Sequence, residues 1–121
     1  MGREEIIAYC MTLRNAYKDI PFRDEKQIVI SHKENRKVYA WFYEVREKEF
    51  VRFRCLKESG EKWIQTFPEF HMGFSHEEVC WLEIPIEIET LTKELIENLA
   101  GESYELTKPE KRRRSLAWYF M

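Results

Sequence analysis

The chain has 121 residues, of which 44% are hydrophobic, 15% aromatic and 35% charged, with a net charge of −2. That length suits one domain with its own core, and only 4 glycines and 4 prolines exclude collagen-like, linker-like and disordered chains. The pI near 6.0 is far below the value above about 9 that is usual for a nucleic-acid-binding domain.

Residues 3–17 are predicted to form a helix, because Ile6, Cys10, Leu13 and Tyr17 recur at helical spacing as one apolar stripe. Glu4 and Glu5 lie in its first turn, where the helix dipole favours anions, and Pro21 closes the segment that follows. Residues 26–56 read as a three-stranded meander. Its first strand is Gln27-Ile28-Val29-Ile30, and Glu34-Asn35-Arg36-Lys37 is a turn in which Asn35 suits a left-handed backbone. The unbroken apolar run Val38-Tyr39-Ala40-Trp41-Phe42-Tyr43 predicts a central strand covered on both faces. After a second turn, Arg46-Glu47-Lys48-Glu49, the residues Phe50, Arg52 and Arg54 alternate with Val51, Phe53 and Cys55.

A short helix is predicted over 57–67, with Trp63, Ile64 and Phe67 as its apolar face and Pro68 as its stop. Residues 79–84 read as a strand ended by Pro85. The last helix starts near Thr90 as N-cap, with Leu91, Leu95 and Leu99 as its stripe. Hairpin connections and mixed elements give an α+β class: a single domain over 3–107, with an antiparallel sheet flanked by N- and C-terminal helices. Both helical stripes are expected on one sheet face. Residues 108–121 form a tail, basic over Lys111-Arg112-Arg113-Arg114 and aromatic over Trp118-Tyr119-Phe120. It is expected to fold back or to contact a protein partner.

No stretch approaches the roughly 18–20 apolar residues of a membrane span, and the opening residues lack the apolar segment of a signal peptide. Cys10, Cys55 and Cys80 are odd in number and lack CxxC spacing, so a reduced, cytoplasmic protein is expected. No phosphate-binding loop, HExxH or catalytic cysteine signature is present, and neither catalysis nor a cofactor is expected. His71, His76, Glu77, Glu78 and Cys80 are the one group with metal-ligating side chains. Cys80 is expected to pack, and His76 with Glu77 and Glu78 to form a solvated turn, so metal binding is not expected.

Two candidates for chemistry remain. His71, between Phe70 and Met72, is a ligand or catalytic candidate because an apolar setting would favour its neutral form. The alternative is a structural histidine bonded to a backbone carbonyl. The second candidate is basic. Lys33, Arg36 and Lys37 cluster at the first turn, Arg46 and Lys48 at the second, and Arg52 and Arg54 project from one face of the strand between. Two such hairpins suit contacts along a phosphate backbone. Glu34, Glu44, Glu47 and Glu49 dilute the patch, and cross-strand ion pairing on a solvated face is the alternative. Charge is uneven along the chain: net +3 over 1–56, −1 over 57–75, −8 over 76–107 and +4 over 108–121.

Several phrases together resemble the MmcQ/YjbR family. They are Arg3-Glu4-Glu5-Ile6-Ile7, Ala16-Tyr17-Lys18-Asp19-Ile20-Pro21-Phe22, Phe53-Arg54-Cys55, Phe67-Pro68, Phe70-His71-Met72 and Glu102-Ser103-Tyr104-Glu105-Leu106-Thr107. The ordered set covers about residues 3–107. The resemblance implies a CyaY-like α+β domain with double-wing hairpins and binding to double-stranded DNA. A protein-interaction domain working through the sheet face, the acidic helix or the tail is the alternative. The chain departs from the family pattern at Leu13-Arg14-Asn15, where a Leu-Pro-Gly-like turn is usual. It departs again at Gly73-Phe74-Ser75-His76, where Asn-Lys and then His-Trp are typical.

Overall fold

A computed structural model describes residues 1–76 and 78–109. In chain order the elements are α1 (Arg3–Met11), β1 (Ala16–Asp19), β2 (Ile28–His32), β3 (Val38–Val45), β4 (Lys48–Leu56), α2 (Lys57–Thr66), β5 (His71–His76), β6 (Val79–Pro85) and α3 (Lys93–Thr107). The strands form one six-stranded sheet in the order β1-β2-β3-β4-β6-β5, antiparallel throughout. The α+β class and flanking helices follow the sequence expectation.

Three elements differ from it. The first helix stops at Met11, where Thr12 caps it and returns its hydroxyl to the Tyr9 carbonyl at 2.6 Å. Asn15 then turns with a positive φ of 60°, and residues 16–19 pair with β2 as an edge strand. Tyr17 therefore belongs to a strand, not to the helical stripe. On the opposite edge, residues 71–76 form β5, a strand the sequence reading did not assign, with a register shift between Met72 and Ser75. The last helix begins two residues late, because the Thr92 hydroxyl, and not that of Thr90, accepts from Leu95 N at 3.2 Å.

The three helices of the described residues lie on one side of the sheet. Alternation along β4 and β6 turns Val51, Phe53, Leu82 and Ile84 toward them, each fully enclosed. At Tyr39 the β2–β3 register shifts, so that Ile30 faces Ala40 but Ser31 faces Val38. The extra residue turns inward like its neighbour Ala40, as in a β-bulge. Its ring meets His32 and Tyr104 at 5.0 and 5.2 Å, and its hydroxyl donates to the Cys10 carbonyl at 3.0 Å. Buried His32 places Nε2 at 3.1 Å from the Tyr104 carbonyl and 2.9 Å from Thr107 Oγ1. A carbonyl only accepts, so Nε2 carries the proton. These contacts tie α1 and α3 to the sheet.

Burial holds these hydroxyl and thiol protons. It pushes the Cys10 thiol up to about 12 and raises the Tyr39 phenol well above its ordinary range. Groups whose folded pKa is raised contribute stability that is full below the unfolded pKa and is lost as pH rises through the folded one. Stability is therefore expected to be undiminished by these groups below about pH 9 and to fall between about pH 9 and 12. Urea midpoints at stepped alkaline pH test this. A midpoint that stays flat to pH 11 contradicts it.

Candidate binding face

The helix-free side of the sheet holds most of the basic residues singled out from sequence. Strand alternation places Lys48, Phe50, Arg52 and Arg54 of β4 on this side, opposite the enclosed Val51, Phe53 and Cys55. Cross-strand register then builds a transverse row over all six strands: Asp19, Val29, Trp41, Arg52, Glu83 and His71. Beside it run Tyr43, Phe50 and Pro85, and on its other flank Arg54 faces Trp81. With strands about 4.8 Å apart, the row is about 24 Å long.

Each guanidinium on this side lies against an aromatic ring. Arg52 sits 4.5 Å from the Tyr43 centroid and 5.5 Å from that of Trp41. Its Nε donates to the Tyr43 hydroxyl at 3.1 Å, and its Nη2 pairs with Glu83 at 3.6 Å. Arg54 lies 4.3 Å from the Trp81 centroid and donates from Nε to the Val38 carbonyl at 2.9 Å. Its burial lowers its pKa from the usual arginine value. Arg36 lies 3.9 Å over the Tyr17 ring. Burial, with the Glu83 carboxylate adding to it, raises the Tyr43 phenol. Such stacking fixes the fork geometry of arginine before any ligand arrives. Trp41 Nε1 is shielded from water and has no hydrogen-bond partner among the described residues.

The two basic turns do not converge. Successive turns of a meander fall at opposite ends of the shared strand, and the eight residues of β3 separate them by about 25 Å. Lys33, Arg36 and Lys37 stand at one end, Arg46 and Lys48 at the other. In the first turn Arg36, not Asn35, takes the left-handed backbone, with φ 59°. Asn35 instead donates to the Thr107 carbonyl at 3.0 Å and accepts from Lys37 N. Arg46 and Glu47 are both left-handed, the pattern of a two-residue hairpin turn. Two of the diluting carboxylates point away. Glu44 and Glu49 face one another on the helix side of the hairpin, where Arg3 reaches Glu49 at 3.6 Å.

His71 stands exposed on edge strand β5. The apolar setting expected for it is absent, because alternation sends Phe70 and Met72 to the core side. Cavities of about 390 Å³ (Leu56, Lys57, Glu58, Glu78) and about 430 Å³ (between α2 and α3, beside Trp63 and Asn98) do not touch His71. Cys80 turns its sulfur into the core, 3.5 Å from Cys55. Glu77 and tail residues 110–121 lie outside the described residues. No group of three His, Cys, Asp or Glu is arranged to hold a metal among the described residues.

Sequence reasoning missed Trp41, Tyr43, Trp81 and Glu83 as members of this face. Val38–Tyr43 was expected to be covered on both sides, but among the described residues helices cover only one. The signal was the Arg52/Arg54 alternation, whose register partners on β3 and β6 share the same exposure.

A crystal structure of a Pseudomonas syringae protein is similar over 89% of this chain and 100% of that one, with a TM-score of 0.76 and 18% identity. A Deinococcus radiodurans protein with a DUF419 domain matches over 94% of this chain and 86% of that one, with a TM-score of 0.74 and 20% identity. At these identities the likeness shows the fold. No curated protein matches the chain. The YjbR family model matches residues 11–106, and with the six-stranded fold described above it establishes that the chain belongs to the YjbR family.

Proposed function

We propose that the chain is a binding module and not a catalyst, and that its helix-free sheet face takes an acidic segment of a partner protein. The observation that carries this reading is the row Trp41–Arg52–Glu83 with its flanks, in which Arg52 and Arg54 are held over aromatic rings. Tyr, Trp and Arg dominate the energetic centres of protein interfaces. Arginines fixed before binding lose little further freedom when they pair with carboxylates. Charge agrees: Arg36, Lys48, Arg52 and Arg54 face Asp19 and Glu83 on this side, whereas the whole chain is −2. A carboxylate seated at Arg52 would also bring an acceptor toward the orphan Trp41 Nε1. The same reading takes the protein as cytoplasmic, in keeping with its three free cysteines. Among the described residues, no helix is long and apolar enough to cross a membrane.

Tryptophan indole N–H signals of the full chain report on this directly. Titration with a synthetic Asp/Glu-rich peptide is expected to shift the Trp41 and Trp81 signals and leave Trp63 of α2 in place. If the Trp41 and Trp81 signals stay still at millimolar peptide, the reading fails.

Binding to double-stranded DNA is the second reading. It is favoured by Lys33, Lys37, Arg46 and Lys48, which are exposed and make no ion pair with the described residues. It predicts affinity for random duplex that falls with salt at a log–log slope of about −0.9 per phosphate neutralised. Shifts would then center on the two turns and not on the tryptophans. No binding at ~50 mM salt and micromolar protein rejects it.

A further inference from the structure

On the helix side, three sulfurs meet under α2. Cys55 of β4 and Cys80 of β6 are direct cross-strand partners, with their Sγ atoms 3.5 Å apart. Met72 Sδ of β5 lies 3.6 Å from Cys80 Sγ. Gly60 of α2 sits on all three. A Cβ built there would stand 2.8 Å from Met72 Sδ, 3.2 Å from Cys55 Sγ and 3.3 Å from Cys80 Sγ. A Cβ here would push Met72 aside and press on both cysteine sulfurs by a few tenths of an ångström, so glycine lets the helix seat closely.

We propose that Cys55 and Cys80 are a covalent modification site, a dithiol that a small disulfide such as oxidised glutathione converts to an intramolecular cross-strand disulfide, with α2 as the cover that admits the oxidant. The geometry is permissive. Directly opposed residues of antiparallel strands have Cα atoms about 4.5–5.5 Å apart, within the roughly 4.4–6.8 Å that a disulfide spans. The sulfurs need only close from 3.5 Å to about 2 Å, and the strands are already paired.

Access is the controlling step, since Cys55 and Cys80 are 1% and 2% exposed. Gly60 is the one buried residue of α2, and no side chain caps the start of this helix. Trp63 and Ile64 are only half-buried. A short helix held this shallowly opens at a fraction of the global unfolding free energy. Burial raises the Cys55 thiol, so the closed form is unreactive and the thiolate appears once α2 lifts and water enters.

The chemistry then balances in two exchanges. One protein thiol loses its proton, and its thiolate attacks a sulfur of the glutathione disulfide. A protein–glutathione bond forms and a glutathione thiolate leaves. The second protein thiolate attacks the protein sulfur of that mixed disulfide, forming the Cys55–Cys80 bond and releasing the second glutathione. Two protein thiols are oxidised and one glutathione disulfide is reduced to two thiols. Cys10 lies on α1, outside the β4–β6 pairing that sets Cys55 opposite Cys80.

The test incubates the native full chain with oxidised glutathione, then unfolds it and alkylates all free thiols. Alkylatable cysteines are expected to fall from three to one, with a mass loss of two hydrogens. Peptide mapping should join Cys55 to Cys80, and dithiothreitol should restore all three. Cys10→Ser should form the same bond. Three free thiols after incubation, a bond that involves Cys10 or a second chain, or a bond that forms only in denaturant each overturns the proposal. So does any intramolecular disulfide in Cys55→Ser or Cys80→Ser.

Discussion

Ser103→Ala is expected to cost about 2–4 kcal/mol, a large share of the stability of a domain this size. Ser103 is fully enclosed on α3, and its hydroxyl stands between two strands. It donates to the Tyr39 carbonyl of β3 and accepts from Arg54 N of β4 at 2.8 Å. At this point the β3–β4 ladder is bridged by a helix side chain. Truncation leaves a buried carbonyl and a buried N–H unpaired, each costing about 1–3 kcal/mol. It removes almost no apolar contact, so the loss reads as polar. Urea unfolding should show a lower midpoint with an unchanged slope, and Tm should fall by roughly 10–20 °C. A change under about 0.5 kcal/mol would mean that the strands close the gap themselves. Ser103→Thr keeps the hydroxyl but adds a methyl group to a filled site, and is expected to cost less than alanine.

Such a residue shows where sequence reading stops. Ser103 lies on a helix whose stripe was visible from Leu91, Leu95 and Leu99, but a serine one turn later reads as an ordinary polar position. Its role comes from the Tyr39 bulge, a tertiary event with no local signal. Several segments were legible: β4 from its alternation, β3 and β6 from their apolar runs and α3 from its helical spacing all stand within a few residues of where those signals put them. The edges were not. Ala16-Tyr17-Lys18-Asp19 continues a helical spacing in sequence, and only pairing with β2 makes it a strand. Gly73 and the absence of a clear alternation hid β5, an edge strand with a register shift.

The binding face was half legible. Arg52 and Arg54 alternate with apolar residues, which announced an open side. Trp41 and Tyr43 did not, because an aromatic run is equally compatible with full burial. Topology also governs the basic turns: a meander puts consecutive turns at opposite ends, whatever their composition. This is why cations close in sequence stand about 25 Å apart here. The family resemblance supplied the architecture in advance, while the chemistry of the face emerged only from register.

Arg52→Glu is expected to weaken binding of the acidic peptide by roughly 30-fold or more, the scale of an interface hot spot at about 2 kcal/mol. Arg52 occupies the crossing of the row: it pairs with Glu83 at 3.6 Å and covers Tyr43 at 4.5 Å. Reversal sets two carboxylates opposite one another across β4 and β6, which destabilises the sheet by up to about 1 kcal/mol at this part-exposed position. The charge-swapped pair Arg52→Glu with Glu83→Arg separates the two effects. Net charge and ion pairing return, so stability should recover to within about 0.5 kcal/mol of the original. Affinity should not recover, because the cation then stands on β6 and no longer lies over Tyr43 beside Trp41. If the swap restores affinity in full, net charge alone governs binding and the aromatic floor has no part in recognition. If affinity stays low while stability returns, the guanidinium on its ring is the recognition element and Glu83 is the group that holds it in place.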